Sequence, residues 1–133
     1  MDTAFGDFQG EKCPYVSAVL PAESNQMYVY ILPAQTSAGV YPLGGDVRYL
    51  VSSDGSKIVE KRQLHKSILE LGPGATPPKG EQIAGFHTHV LSDVPEDTDV
   101  AYVLRRRPSV SEFIGTKGAL YVVLEDGTIV RTK

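Results

Sequence analysis

Two of the chain's three histidines stand two residues apart, in His87-Thr88-His89, at the end of the apolar run Gln82–His89 (QIAGFHTH). On a strand, residues i and i+2 face the same way, so both imidazoles can converge on one ion. Phe86 and Thr88 would then face the other side, Phe86 toward a core. Downstream, the segment LSDVPEDTD carries Asp93, Asp97 and Asp99. A carboxylate from its far end would complete a His/His/Asp set with a position left for water, a set that suits zinc. Such a centre acidifies a water and polarises a carbonyl, the chemistry of metal-assisted hydrolysis. The structural alternative is a pair of strand histidines hydrogen-bonded to nearby acids, with Asp97 and Asp99 capping a helix and offsetting its dipole. Asp93 could orient a histidine through its second ring nitrogen, as outer carboxylates do at metal centres.

Other residue types point less sharply. Arg62 and His65 lie in RQLHKS, read either as a solvated basic face or as a contact for a substrate anion. Arg105-Arg106-Arg107 would close a helix where positive charge meets the dipole. Gly44-Gly45 reads as a turn needing unusual φ, since it does not open a helix as phosphate loops do. Cys13-Pro14 has no neighbouring His or basic residue to activate a thiol. Ser92 lacks the strand-turn-helix setting of a serine nucleophile.

The strands that must position these groups are Met27–Ala34, Asp46–Ser52, Gln82–His89 and Ala119–Leu124, each rich in Val, Ile, Tyr or Phe and bounded by turn residues. Asp54-Gly55 and Asp126-Gly127 suit tight hairpin turns. They predict pairing of Asp46–Ser52 with Lys57–Glu60, and of Ala119–Leu124 with Thr128–Thr132. A helix is expected over Glu96–Arg106, with Pro95 before its first turn, acids first and arginines last. A second is expected over Lys61–Leu71, where Leu64, Ile68 and Leu71 fall at helical spacing and Gly72-Pro73 ends the run. Gly72–Gly80 (GPGATPPKG) reads as a loop. Residues 1–24 are expected as an irregular N-terminal segment ahead of a core over residues 27–133.

At 133 residues the chain fits one domain. A net charge of −3 gives no general attraction to nucleic acid or to an anionic membrane, and no apolar run is long enough to span a bilayer. One cysteine excludes an internal disulfide framework and a Cys-rich zinc ribbon. The chain opens without a signal-peptide pattern, which leaves the compartment open between the cytoplasm and export with a leader already removed. Together these features predict a soluble α+β domain, a mostly antiparallel β-sheet with two helices. They name no oligomeric state.

The motif Gly85-Phe86-His87-Thr88-His89, followed by Pro95-Glu96-Asp97-Thr98-Asp99 at a helix start, resembles the signature of the JAB/MPN (JAMM) metalloprotease family. The likeness runs from about Asp46 to Lys133. It implies a JAB/MPN-like, cytidine deaminase-like core, zinc on His87, His89 and Asp99, and hydrolysis of an amide or isopeptide bond in a peptide or protein. Glu96 stands where the family has an oxyanion-holding serine, a role left to Ser92 or Thr98; Val90 replaces a proline, and the His89–Asp99 spacing is one residue short. No glutamate occupies the region Gly44–Val47 that matches the family's catalytic strand, which leaves Asp46 or Glu60 as candidate base. Two alternatives stand beside the enzyme: an inactive relative serving as a binding or structural module, and an unrelated small β-rich binding domain.

Overall fold

The computed structural model describes residues 2–10, 12–71, 84–107 and 109–132. The expected loop Gly72–Gly80 and the first two residues of the expected strand Gln82–His89 lie outside them. In chain order the elements are α1 (Asp2–Asp7), β1 (Tyr15–Pro21), β2 (Met27–Pro33), β3 (Tyr41–Leu43), β4 (Val47–Val51), β5 (Ile58–Gln63), β6 (Leu69–Leu71), β7 (Ala84–Thr88), α2 (Asp97–Arg105), β8 (Ser111–Gly115), β9 (Leu120–Val123) and β10 (Ile129–Arg131). The fold is α+β, its sheets are mostly antiparallel, and two α-helices stand among the described residues. None of these helices is long and apolar enough to cross a membrane. The chain forms two compact units, Met1–Ala34 with Gly44–Ile68, and Gln35–Leu43 with Leu69–Lys133.

The first unit is a four-stranded antiparallel sheet in the order β1-β2-β4-β5. Alternation decides its faces: Val29, Ile31, Val47, Tyr49 and Val51 point to one side and are buried with Ala4 of α1. The Asp7 carboxylate fastens that helix, accepting from the Tyr49 hydroxyl at 3.0 Å and the Lys61 ammonium at 2.8 Å. Asp54-Gly55 makes the expected hairpin, and β5 runs on to Gln63, opposite Val47. This overturns the helix expected over Lys61–Leu71. Lys61–Gln63 belong to β5, Leu69–Leu71 to β6, and Leu64 closes the ladder by donating to the Asp46 carbonyl at 3.0 Å. Leu64 and Leu71 share a helical spacing, but Leu64 follows β5, Leu71 ends β6, and they belong to different units. Gly44, at φ 98°, is tied to this stretch, since a Cβ there would collide with the Ser67 carbonyl. The expected irregular N-terminal segment holds both α1 and β1; β1 pairs along its length with β2.

The second unit contains the sheet β10-β9-β8-β7 and the short antiparallel pair β3-β6. The Asp126-Gly127 hairpin pairs β9 with β10 as expected. β7 and β8 are parallel neighbours, with α2 as the crossover that parallel pairing requires. Strand β8 was not expected, because SEFIG reads as a short segment broken by a charge and a glycine. Tyr102 and Val103 of α2 pack with Tyr41, Leu43, Ile114 and Val123. Phe86 is the opposite of the expectation: it is 61% exposed, because the face of β7 that is buried is the one carrying Gly85 and His87.

Candidate metal centre

Strand β7 and the first turn of α2 bring His87, His89 and Asp99 together in the second unit, all buried. His87 Nε2 lies 3.2 Å from His89 Nε2 and 3.0 Å from Asp99 Oδ1, and His89 Nε2 lies 3.1 Å from Asp99 Oδ2. Asp99 also accepts from the Glu96 backbone N–H at 2.6 Å, so the same carboxylate caps the helix and faces both rings. One placement thus serves the helix cap and leaves the carboxylate facing both rings.

The outer nitrogens decide what the inner ones can do. His87 Nδ1 is 2.9 Å from Glu112 Oε1, and His89 Nδ1 is 2.9 Å from the Val94 carbonyl and 3.1 Å from Ser92 Oγ. A carboxylate and a carbonyl only accept, so both Nδ1 atoms carry their protons, a tautomer assigned from the network. In the neutral rings both Nε2 atoms then present lone pairs, toward each other and toward a carboxylate. Three acceptors meeting in a buried space call for a cation, either a proton or a metal ion. Their separations are also within a few tenths of an ångström of the ~3.3 Å edges of a tetrahedron around zinc with nitrogen ligands. His87 responds as this field requires: burial works against its charged form, but the hydrogen bonds it gives to Asp99 and Glu112 outweigh it and hold its pKa above the ordinary value. The cluster could hold a metal ion.

Glu112 was missed in the sequence and is central in the structure. It is fully buried on β8 directly beside Gly85, its register partner. A Cβ at Gly85 would collide with the Glu112 carboxylate, which gives the glycine of the Gly-x-His-x-His run a packing reason. The usable signal lay in Val110, Glu112 and Ile114, three alternate residues that are all buried; a charge on the inward face of a strand implies a partner.

The remaining candidates fall as follows. Asp93 is exposed, and the role of orienting a histidine falls instead to Glu112, Ser92 and the Val94 carbonyl. Ser92 is half-buried against His89; Thr98 is buried, and its hydroxyl has no hydrogen-bond partner among the described residues. Asp97 is exposed in the first turn of α2, where a negative charge suits the dipole. In the first unit, His65 is not on a solvated face: it is buried, with Nδ1 2.8 Å from Asp46 Oδ1. Glu60 is half-exposed and lies 3.6 Å from the Arg48 guanidinium, while Arg62 sits opposite Arg48 in the ladder. The arginine run divides its work. Arg105 donates to the Pro42 carbonyl, and Arg107 to the carbonyls of Leu104 and Arg106, while Arg106 turns inward.

No protein family, curated protein or solved structure matches the chain.

Proposed function

We propose that the chain is a zinc-binding domain with His87, His89 and Asp99 as ligands, and that it hydrolyses an amide or isopeptide bond in a peptide or protein, as its resemblance to the JAB/MPN family implies. The observation that carries the reading is the tautomer pattern. Glu112 and the Val94 carbonyl commit both Nδ1 protons outward, so both Nε2 lone pairs meet Asp99. Bound there, the ion would polarise a carbonyl and acidify a water. The protein's own part is to hold the ligands in place: β7 aims the two rings, the helix cap fixes the carboxylate, and Glu112, Ser92 and Val94 prevent the rings from turning. The hydroxyl of Thr98 remains the candidate donor toward a developing oxyanion, because it is buried and has no hydrogen bond among the described residues to give up.

A second reading is favoured by the candidate bases. Asp46 is engaged by His65, and Glu60 faces solvent beside Arg48. A domain that binds the metal without turnover fits those pairings, since each candidate base already has a charged or hydrogen-bonding partner of its own.

The test is elemental analysis of the purified protein, stripped with chelator and reloaded with zinc, beside His87→Ala treated the same way, followed by hydrolysis assays on amide-linked peptides. One zinc per chain, lost in the variant, together with zinc-dependent cleavage, is the expected result. Zinc without cleavage leaves the second reading; a folded protein that takes up no zinc contradicts both.

A further inference from the structure

Arg106 ends helix α2 with an extended backbone (ψ 139°), its N–H still bonded to the Tyr102 carbonyl at 3.2 Å. Its neighbours Arg105 and Arg107 are exposed, but Arg106 is buried, with the guanidinium carbon 5.6 Å from the centre of the Tyr102 ring. Taking a guanidinium out of water is costly unless a partner compensates for it. The carboxylate it meets is Glu112, with Nη1 3.8 Å from Oε2. Glu112 thus divides its two oxygens. Oε1 takes the His87 Nδ1–H at 2.9 Å; Oε2 accepts no hydrogen bond among the described residues and faces the guanidinium.

We propose that Arg106 is a positioning residue of the metal centre, holding one oxygen of Glu112 so that the other fixes the His87 ring. The inference rests on the metal-centre reading above and adds a residue outside the ligand set proposed there. The geometry fits a two-step support. A carboxylate on a flexible stem has two equivalent oxygens and could swing between orientations. A fixed positive charge on one side and an imidazole N–H on the other leave it a single orientation. The space for it is kept by Gly85, whose missing side chain would otherwise stand on the Oε2 side. Guanidinium suits this place better than ammonium, because it is planar, more weakly hydrated and spreads its charge over a fork.

The test uses the full chain carrying Arg106→Met, Arg106→Lys and Glu112→Gln. Its two readouts are zinc affinity by chelator competition and the imidazole nitrogen NMR signals of the zinc-free protein. Arg106→Met is expected to weaken zinc binding by about tenfold, the lower end of what losing an outer partner costs. The His87 nitrogen signals should move and those of His89 stay. Arg106→Lys, which keeps the charge and spares the fold, should lose less, and its effect should vanish in the Glu112→Gln background. Wild-type affinity and unmoved His87 signals in a folded Arg106→Met protein would overturn the proposal, as would an Arg106→Lys effect that persists without the Glu112 carboxylate. Should the wild-type chain take up no zinc, the metal reading fails, and the His87 signals of the zinc-free variants still decide the role of Arg106.

Discussion

Substituting Gly85 by alanine tests the support of the proposed metal centre at its tightest point. The added Cβ would stand 2.8 Å from Glu112 Cδ and 3.1 Å from Oε1, with Oε2 closer still. Carbon atoms rest about 3.5–4.0 Å apart, so the carboxylate carbon must retreat by about 1 Å. Glu112 Oε1 now lies 2.9 Å from His87 Nδ1, and a retreat of that size along the bond takes the pair past roughly 3.5 Å, where it is no longer a hydrogen bond. Losing an outer partner of a ligand histidine costs about 10–100-fold in metal affinity, or about 1.4–2.7 kcal/mol. Overpacking adds a stability loss of about 1–3 kcal/mol, read as a lower thermal midpoint. The assay is zinc competition against a calibrated chelator, with circular dichroism to show that the variant folds. Glu112→Gln should cost a similar factor, and the double variant little more than either alone, because both act through one contact. A folded Gly85→Ala protein with unchanged zinc affinity and thermal midpoint would refute the reasoning.

Five further outcomes are expected. Zinc uptake should strengthen as pH rises above 6.5, the ordinary value for histidine. His87 is held protonated above that value in the zinc-free protein, and its proton competes with the metal; chelator competition across neutral pH checks this, and a flat profile contradicts it. The same raised value stabilises the zinc-free fold below pH 6.5, a contribution lost as pH rises through the folded-state value, which denaturant midpoints across that window would record. Ser92→Ala should weaken zinc binding far less than Glu112→Gln does, because the Val94 carbonyl at 2.9 Å still holds the His89 ring; equal losses in the same competition assay would count against this. Asp54, whose pKa is lowered to about 2 by the Ser56 N–H and the hydroxyls of Ser52 and Ser56, supports its hairpin above pH 3.8 and gives that support up as pH falls toward 2. A carboxyl NMR titration should follow it. Tyr102→Phe should leave the thermal midpoint unchanged or raised, since the buried hydroxyl has no hydrogen bond among the described residues to lose and its pKa is pushed up to about 12, mainly by burial.

How much of this was legible in the letters depended on how local the signal was. The hairpins at Asp54-Gly55 and Asp126-Gly127 and the helix after Pro95 follow from neighbouring residues alone, and the chain forms them. The convergence of His87, His89 and Asp99 was also readable, because strand alternation and a helix start fix two of the three directions. What failed depended on pairing at a distance. Lys61–Leu71 has a helical spacing, but β4 competes for its first residues and β3 for its last, and ladder bonds prevail over a weak periodicity. Phe86 was sent toward a core because it is aromatic, yet which face of β7 is buried was decided by Glu112 and α2. Glu112 and Arg106 escaped notice for the same reason. Each looks like an ordinary surface charge until the parallel pairing of β7 with β8 sets Glu112 behind His87.

The central claim is that both histidines carry their protons on Nδ1 and offer Nε2 to one cation. Long-range proton–nitrogen NMR of the imidazoles, before and after one equivalent of zinc, tests it most directly. The account predicts Nδ1–H on both rings of the zinc-loaded protein, with both Nε2 signals displaced by the metal. Protons on Nε2 of either ring in the zinc-loaded protein, or ring signals that do not respond to zinc, would contradict it.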